Sequence, residues 1–239
     1  MKAMSKLWTA LVVGVTVMAA AIPSWADPVS APVGEISLST FNQWIGSSPI
    51  HVDTEFPFYD EYYAIGTITS QVYLGVGGVA KGSYVYVYQV HHSNQSPLQA
   101  IHYFSFELHG PIQVITDLLV PDPENPRNFI PTFAFQVSEA GGVLSRATHG
   151  RIIDGRRGIK FEFGSGGLIR GGTSRRFGFL SSCPPERLRL VTIEYKEFKA
   201  IGRWDSIFTP SPEPSVGVMF GLGLLGLPFL RALRRRFMK

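Results

Sequence analysis

Tyr84-Val-Tyr-Val-Tyr-Gln-Val-His91 and Ile101-His-Tyr-Phe-Ser-Phe-Glu-Leu108 decide the fold class. Both runs are built from β-branched and aromatic residues, which suit a pleated, half-buried strand, and both change character at every second position. Runs of the same kind recur at Ile36–Thr40, Tyr63–Leu74, Gln113–Leu119, Thr132–Val137, Lys160–Phe163, Arg175–Leu180 and Arg187–Tyr195, punctuated by Gly, Pro, Asn and Ser. No stretch between residues 27 and 209 keeps a 3.6-residue apolar period for three turns. Many short strands with frequent turns imply an all-β domain over 27–209, an antiparallel β-sandwich of immunoglobulin-like or jelly-roll type. Pro121–Asn128, with three prolines, is expected to be a loop.

The two leading runs read as the arms of one hairpin joined through Ser93–Ala100. With His92 opposite Ile101, Val85 and Val87 would share a core face with Phe104, Phe106 and Leu108. The other face would carry Tyr84, Tyr86 and Tyr88 beside Tyr103, Ser105 and Glu107. A tyrosine row on a wet face could stack on pyranose rings, so these three tyrosines are a candidate glycan platform; packing under a second layer is the plainer reading. The same register sets His91 across from His102. Two imidazoles are too few for a closed metal site, so ordinary strand-end histidines are expected, with no metal and no cofactor. Gly75-Val-Gly-Gly-Val-Ala80 precedes a strand rather than a helix, which excludes a dinucleotide fingerprint and leaves a glycine-rich turn.

Charge is unevenly spread. The chain has 22 Lys+Arg and 18 Asp+Glu, but Lys2, Lys6 and five basic residues after Leu230 belong to its ends, so residues 27–230 carry a net −3. The sequence pI near 9.2 therefore reflects the ends, and a nucleic-acid partner is not expected. Within the body, residues 27–139 carry a net −9 and residues 140–210 a net +7. The halves are expected to meet in one fold and partly neutralise each other. The sharper alternative is an anionic-polymer patch formed by Arg151, Arg156, Arg157, Arg170, Arg175 and Arg176, with Arg146 nearby. Asp53, Glu55, Asp60 and Glu61 flank Phe56-Pro-Phe-Tyr59. A solvated acidic loop is expected there; a calcium site built from these oxygen ligands and a glycosidase pair are the alternatives. Cys183 is the single cysteine, which rules out an internal disulfide, and it is expected to be buried and inert.

Both ends read as addresses. Residues 1–26 have Lys2 and Lys6, an apolar run Leu7–Ile22, and Ser24-Trp-Ala26, a signal peptide with cleavage expected between Ala26 and Asp27. Residues 210–239 run Pro210-Ser-Pro-Glu-Pro-Ser215, then an uncharged Val216–Leu230, then Arg231-Ala-Leu-Arg-Arg-Arg236. Ser215–Leu230 is sixteen residues, about 24 Å as a helix, and the arginine stems can make up the difference to a bilayer. Positive charge at this end favours the cytoplasmic side, so the body is expected outside the inner membrane.

The order Pro212, Glu213, Pro214, then a glycine- and leucine-rich apolar segment, then an arginine cluster (Arg231, Arg234, Arg235, Arg236) resembles the PEP-CTERM sorting signal. That resemblance implies export in a Gram-negative bacterium that makes extracellular polysaccharide. It also implies processing by signal peptidase and exosortase, with transient attachment to the inner membrane through a transmembrane sorting helix. More loosely, Tyr84–Tyr88 and Tyr103–Phe106 are similar to strands of exported immunoglobulin-like bacterial domains. Gly171–Ser174, Phe177-Gly-Phe179 and Ser181–Pro185 are similar to a late strand of PEP-CTERM proteins of unknown function. The expectation is a non-enzymatic cell-surface or matrix protein associated with polysaccharide. A secreted glycosidase using acids in 53–61 is the alternative, and an adhesive subunit whose edge strands meet other chains is a third possibility.

Overall fold

A computed structural model describes residues 28–60, 63–153, 156–195 and 198–211. The expected signal segment with Asp27, and the tail from Pro212 onward, lie outside the described residues. Among the described residues, no helix is long and apolar enough to cross a membrane.

The chain is all-β. Its elements begin with β1 (Val29–Pro32), β2 (Gly34–Ser37), helix α1 (Leu38–Trp44), β3 (His51–Asp60), β4 (Tyr63–Leu74), β5 (Tyr84–His92), β6 (Ala100–Ile101), β7 (Tyr103–Glu107) and β8 (Ile115–Pro121). They continue with β9 (Phe129–Thr132), β10 (Ala134–Ser138), β11 (Leu144–Ile153), β12 (Arg156–Phe163), β13 (Leu168–Ile169), β14 (Phe177–Ser181), β15 (Pro185–Tyr195) and β16 (Phe198–Pro210). Sheet I has the order β1-β11-β12-β7-β15-β16 and sheet II the order β2-β10-β14-β5-β4-β3. β8 with β9, and β13 with β6, form two small ribbons. Neighbours are antiparallel except β2 and β10. Only Val33 separates β1 in sheet I from β2 in sheet II, so one edge of the assembly is closed by a strand that changes sheets.

The expected hairpin of Tyr84–Leu108 is not made. β5 lies between β14 and β4 in sheet II, and β7 lies between β12 and β15 in sheet I. The Ser93–Gln99 segment carries the chain across from one sheet to the other instead of turning it back. The two runs therefore face each other through the core, which reverses the expected assignment of β5. Tyr86 and Tyr88 point inward against Phe104, Phe106, Phe177 and Phe179, and Tyr86 stacks on Phe179 with centroids 5.2 Å apart. Val85 and Val87 point outward into a second apolar cluster with Phe41, Trp44, Tyr73, Phe135 and Leu180. Both faces of β5 are covered, which accounts for its almost unbroken apolar composition.

The second cluster exists because of α1, placed where the sequence pattern suggested strand. Ser37 is its N-cap, with its hydroxyl oxygen accepting from the Thr40 N–H at 3.0 Å, and Phe41 and Trp44, three apart on one face, roof sheet II. A helix of 7 residues is too short to leave a periodic signature. A second correction concerns 53–61: Asp53, Glu55 and Asp60 belong to strand β3, which pairs with β4 through two register shifts, rather than to a loop. Two other expectations hold. The proline-rich loop between β8 and β9 covers 122–128, with Pro121 ending β8 instead of entering the loop. Gly75–Ala80 lies in the turn linking β4 to β5, which runs on through Gly82, with Gly78 at φ +54° and Gly82 at φ +80°. A side chain at Gly75 would meet the Ala80 carbonyl oxygen, which excludes other residues there.

Tyr88 is fully buried, and its hydroxyl donates to the Phe208 carbonyl, tying β5 to β16 across the core. Burial holds this phenol well above its usual pKa, so it stays a donor at any pH the fold survives. Tyr88→Phe keeps the ring but removes the bond, and we expect a loss of roughly 1–3 kcal/mol in stability, read as a lower urea midpoint with an unchanged m-value.

Candidate functional site

The polar outer face of sheet I is the surface on which the sequence candidates can be judged. Strand alternation turns Phe104 and Phe106 of β7 inward and Tyr103, Ser105 and Glu107 outward. On β12 the same alternation turns Ile159, Phe161 and Phe163 inward, with Lys160 and Glu162 outward. Register then builds two rows across the sheet. One runs Ser30, Thr148, Lys160, Ser105; the other runs Pro32, Arg146, Glu162, Tyr103. Within the first row the Thr148 and Ser30 hydroxyls are 3.1 Å apart, and the Lys160 ammonium joins the rows, lying 3.8 Å above the centre of the Tyr103 ring. That cation–π contact fixes both side chains in a half-buried position. Ser105, at the β7 end of the first row, is buried, and Arg146 in the second row is exposed.

At the end of β7 the face finishes in a charged knot. His109 Nε2 lies 3.7 Å from Glu107, and its Nδ1 meets the Glu186 carboxylate. One imidazole uses both nitrogens on two carboxylates, so the three do not converge on a point. No group of three or more His, Cys, Asp or Glu poised for a metal occurs among the described residues. What the face offers chemically is an array of hydroxyls, alternating charges and one fixed aromatic edge, which can hydrogen-bond a hydroxylated polymer.

Three of the expected site groups are placed elsewhere. Tyr86 and Tyr88 are each 0% exposed and cannot meet a ligand. Their rings fill the gap between sheets, and Tyr86 donates to the Cys183 carbonyl at 2.9 Å. Only Tyr84, half-buried at the strand end, reaches the surface, so no three-tyrosine platform forms. The tyrosine that does face outward with Ser105 and Glu107 is Tyr103. Its position on the polar side of β7 was readable from alternation alone, but its neighbours on β12 were not.

The arginine patch is dispersed in the same way. Arg175 pairs with Glu35 at 3.0 Å, while Arg176 forms a two-pronged pair with Glu139 (2.7 and 3.0 Å) and lies over the Phe41 ring. Arg170 donates to the carbonyls of Pro97 and Leu98, both at 2.8 Å. Arg157 lies in sheet I, opposite Arg151 in register, away from the Arg175–Arg176 pair. The side chains of Arg151 and Arg156, and of the acids in 53–61, lie outside the described residues. So do the expected sorting motif, Pro212, Glu213 and Pro214, the cluster of Arg231, Arg234, Arg235 and Arg236, and the expected cleavage site at Ala26 and Asp27. Glu35 and Glu139 come from the acidic half of the chain and their arginines from the basic half, so the halves do neutralise each other at these contacts.

His91 and His92 are strand residues with separate surroundings. His91 is exposed, with Nδ1 2.9 Å from the Thr173 hydroxyl, and its register partner is Thr67 rather than any residue of β7. His92 is fully buried, and its Nδ1–H donates to the Leu168 carbonyl at 2.8 Å; burial holds its pKa below the usual value. Cys183 is free and partly buried. No protein-family model matches the chain, and no curated protein and no solved structure matches it either.

The Arg176–Glu139 pair carries a pH dependence whose sign follows from its surroundings. Burial pushes the Glu139 carboxyl up, but hydrogen bonds from the Arg176 side chain and backbone, with the guanidinium charge, outweigh it and hold the group below its ordinary 4.5. The unfolded chain therefore takes the proton first. The pair's stabilisation is complete above about 4.5 and is lost as pH falls through the lowered native value. Thermal melts of Glu139→Gln should show a lower melting temperature than the parent near neutrality and a gap that narrows below pH 4.5.

Proposed function

We propose that this chain is an exported, tail-sorted, non-enzymatic protein of the cell surface or extracellular matrix that associates with polysaccharide through the outer face of sheet I. The observation carrying this reading is the ordered set of Tyr103, Lys160, Glu162, Arg146 and Thr148 on one polar sheet face. Much of the outer face of sheet II, by contrast, is roofed by Phe41 and Trp44 of α1. Flat arrays of hydroxyl, charged and aromatic groups suit an extended glycan, which presents hydroxyls along its edges and apolar patches on its ring faces. Export is supported by the signal segment and by the PEP-CTERM-like tail with Glu213 at the centre of its motif. Sorting of that tail would involve signal peptidase, exosortase and a transient hold on the inner membrane. On this reading the two sheets make an immunoglobulin-like or jelly-roll sandwich spanning residues 27–209.

Two measurements test this. Intact mass of the protein recovered from the cell surface and medium should lack Met1–Ala26 and the segment beyond about Pro214; retention of Val216–Lys239 would overturn the matrix assignment. Binding of that protein to the producing cell's own polysaccharide should fall about tenfold for Tyr103→Ala, equivalent to about 1.4 kcal/mol, with an unchanged melting temperature. Undiminished binding would remove the sheet I face from the reading, and hydrolysis of any member of a broad glycan panel would favour the glycosidase alternative.

A further inference from the structure

The ribbon of β8 and β9 carries an apolar face with no role in the readings above. Register sets Leu119 opposite Pro131 and Pro121 opposite Phe129. Positions two apart on a strand share a side, so these four residues line one face of the ribbon, and Val120, which is buried, turns to the other. All four are exposed, Leu119 at 54% and Phe129 at 62%. Around them Asp117, Asp122 and Glu124 outnumber Arg127, which gives the apolar face an acidic rim.

β10 leads away from this ribbon and ends at Ser138, where the Gly141–Val143 turn meets the β13 loop through Gly142 N–H to Thr173 O and Gly164 N–H to Val143 O, 2.9 and 2.8 Å. Here Val143 is 44% exposed and Ile169 is 65% exposed. Beside Ile169 stands exposed Arg170, held rigidly by the carbonyls of Pro97 and Leu98. Carbonyls orient a guanidinium without cancelling its charge, so this second apolar surface is basic. The two surfaces lie at opposite ends of β10.

We propose that the acidic-rimmed ribbon face of one copy of this chain docks on the Val143–Ile169–Arg170 surface of a second copy. Charge selects this pairing. Two ribbon faces together would oppose their acidic rims, and two loop surfaces would oppose their arginines; only unlike ends attract. A contact between different surfaces at opposite ends of the molecule is heterologous, so it adds copies head to tail rather than closing a pair. This assembly does not depend on glycan binding.

The test uses the full chain in mild detergent, followed by sedimentation velocity. The parent chain should show a series of species that lengthens with concentration and shortens with added salt. Phe129→Ser and Ile169→Ser, both at exposed positions and checked for unchanged melting temperature, should each sediment as a single copy. An equimolar mixture of the two variants should form a two-copy species and stop there, because each retains one intact surface. A parent chain that stays a single copy at every concentration, either variant assembling as the parent does, or a mixture that fails to pair would overturn the proposal.

Discussion

The fold depends on an aromatic interlock between two sheets. Tyr86 and Tyr88 from β5 and Phe177 and Phe179 from β14 meet Phe104 and Phe106 from β7 and Phe161 from β12, in tilted, stacked and edge-on contacts. Side chains of this size each remove about 150–250 Å² from water, so these rings supply most of the apolar burial at the centre of the body. They also impose a condition. A buried phenol needs an acceptor, and the two tyrosines find theirs on the backbone, at Cys183 and at Phe208, which fixes where β14's exit and β16 must run.

The surface follows from that interior. Because β5 turns its tyrosines inward, its valines face outward and need a cover, and α1 with Phe41 and Trp44 provides it. Because β10 and β14 are neighbours in sheet II, Glu139 and Arg176 come together at their ends, and Glu35 on β2 reaches Arg175. Arginines that looked in sequence like a patch for an anionic polymer are in part ties between strands far apart in the chain. The polar face left over is that of sheet I, where Lys160 and Tyr103 hold each other.

How much of this was legible varies with the range of the interaction. Strands β4, β5, β7, β8, β10, β14 and β15 could be read closely from composition and alternation, because a strand's two-residue period is local. α1 could not, since a capped helix of about two turns leaves only Ser37 and the Phe41/Trp44 spacing as a trace. β3 was obscured by its acids, and the ribbon strand β9 by its two-proline surroundings. For the candidate site, Tyr103, Ser105 and Glu107 were assigned to one face correctly, because that needs only the parity of β7. Their actual companions, Lys160, Glu162 and Arg146, sit some forty or more residues away in the chain, beyond any local pattern.

The sequence by itself determined that this is a strand-rich body between two apolar, positively flanked ends, and which residues on each strand alternate together. Only the tertiary structure decided which face of each strand is wet. A strand's alternation defines two faces but assigns neither to solvent; that assignment comes from the partner sheet. Ser93–Gln99 crosses between sheets instead of turning, and that one connection makes Tyr86 and Tyr88 core residues, their hydroxyls answered by carbonyls up to 120 positions away.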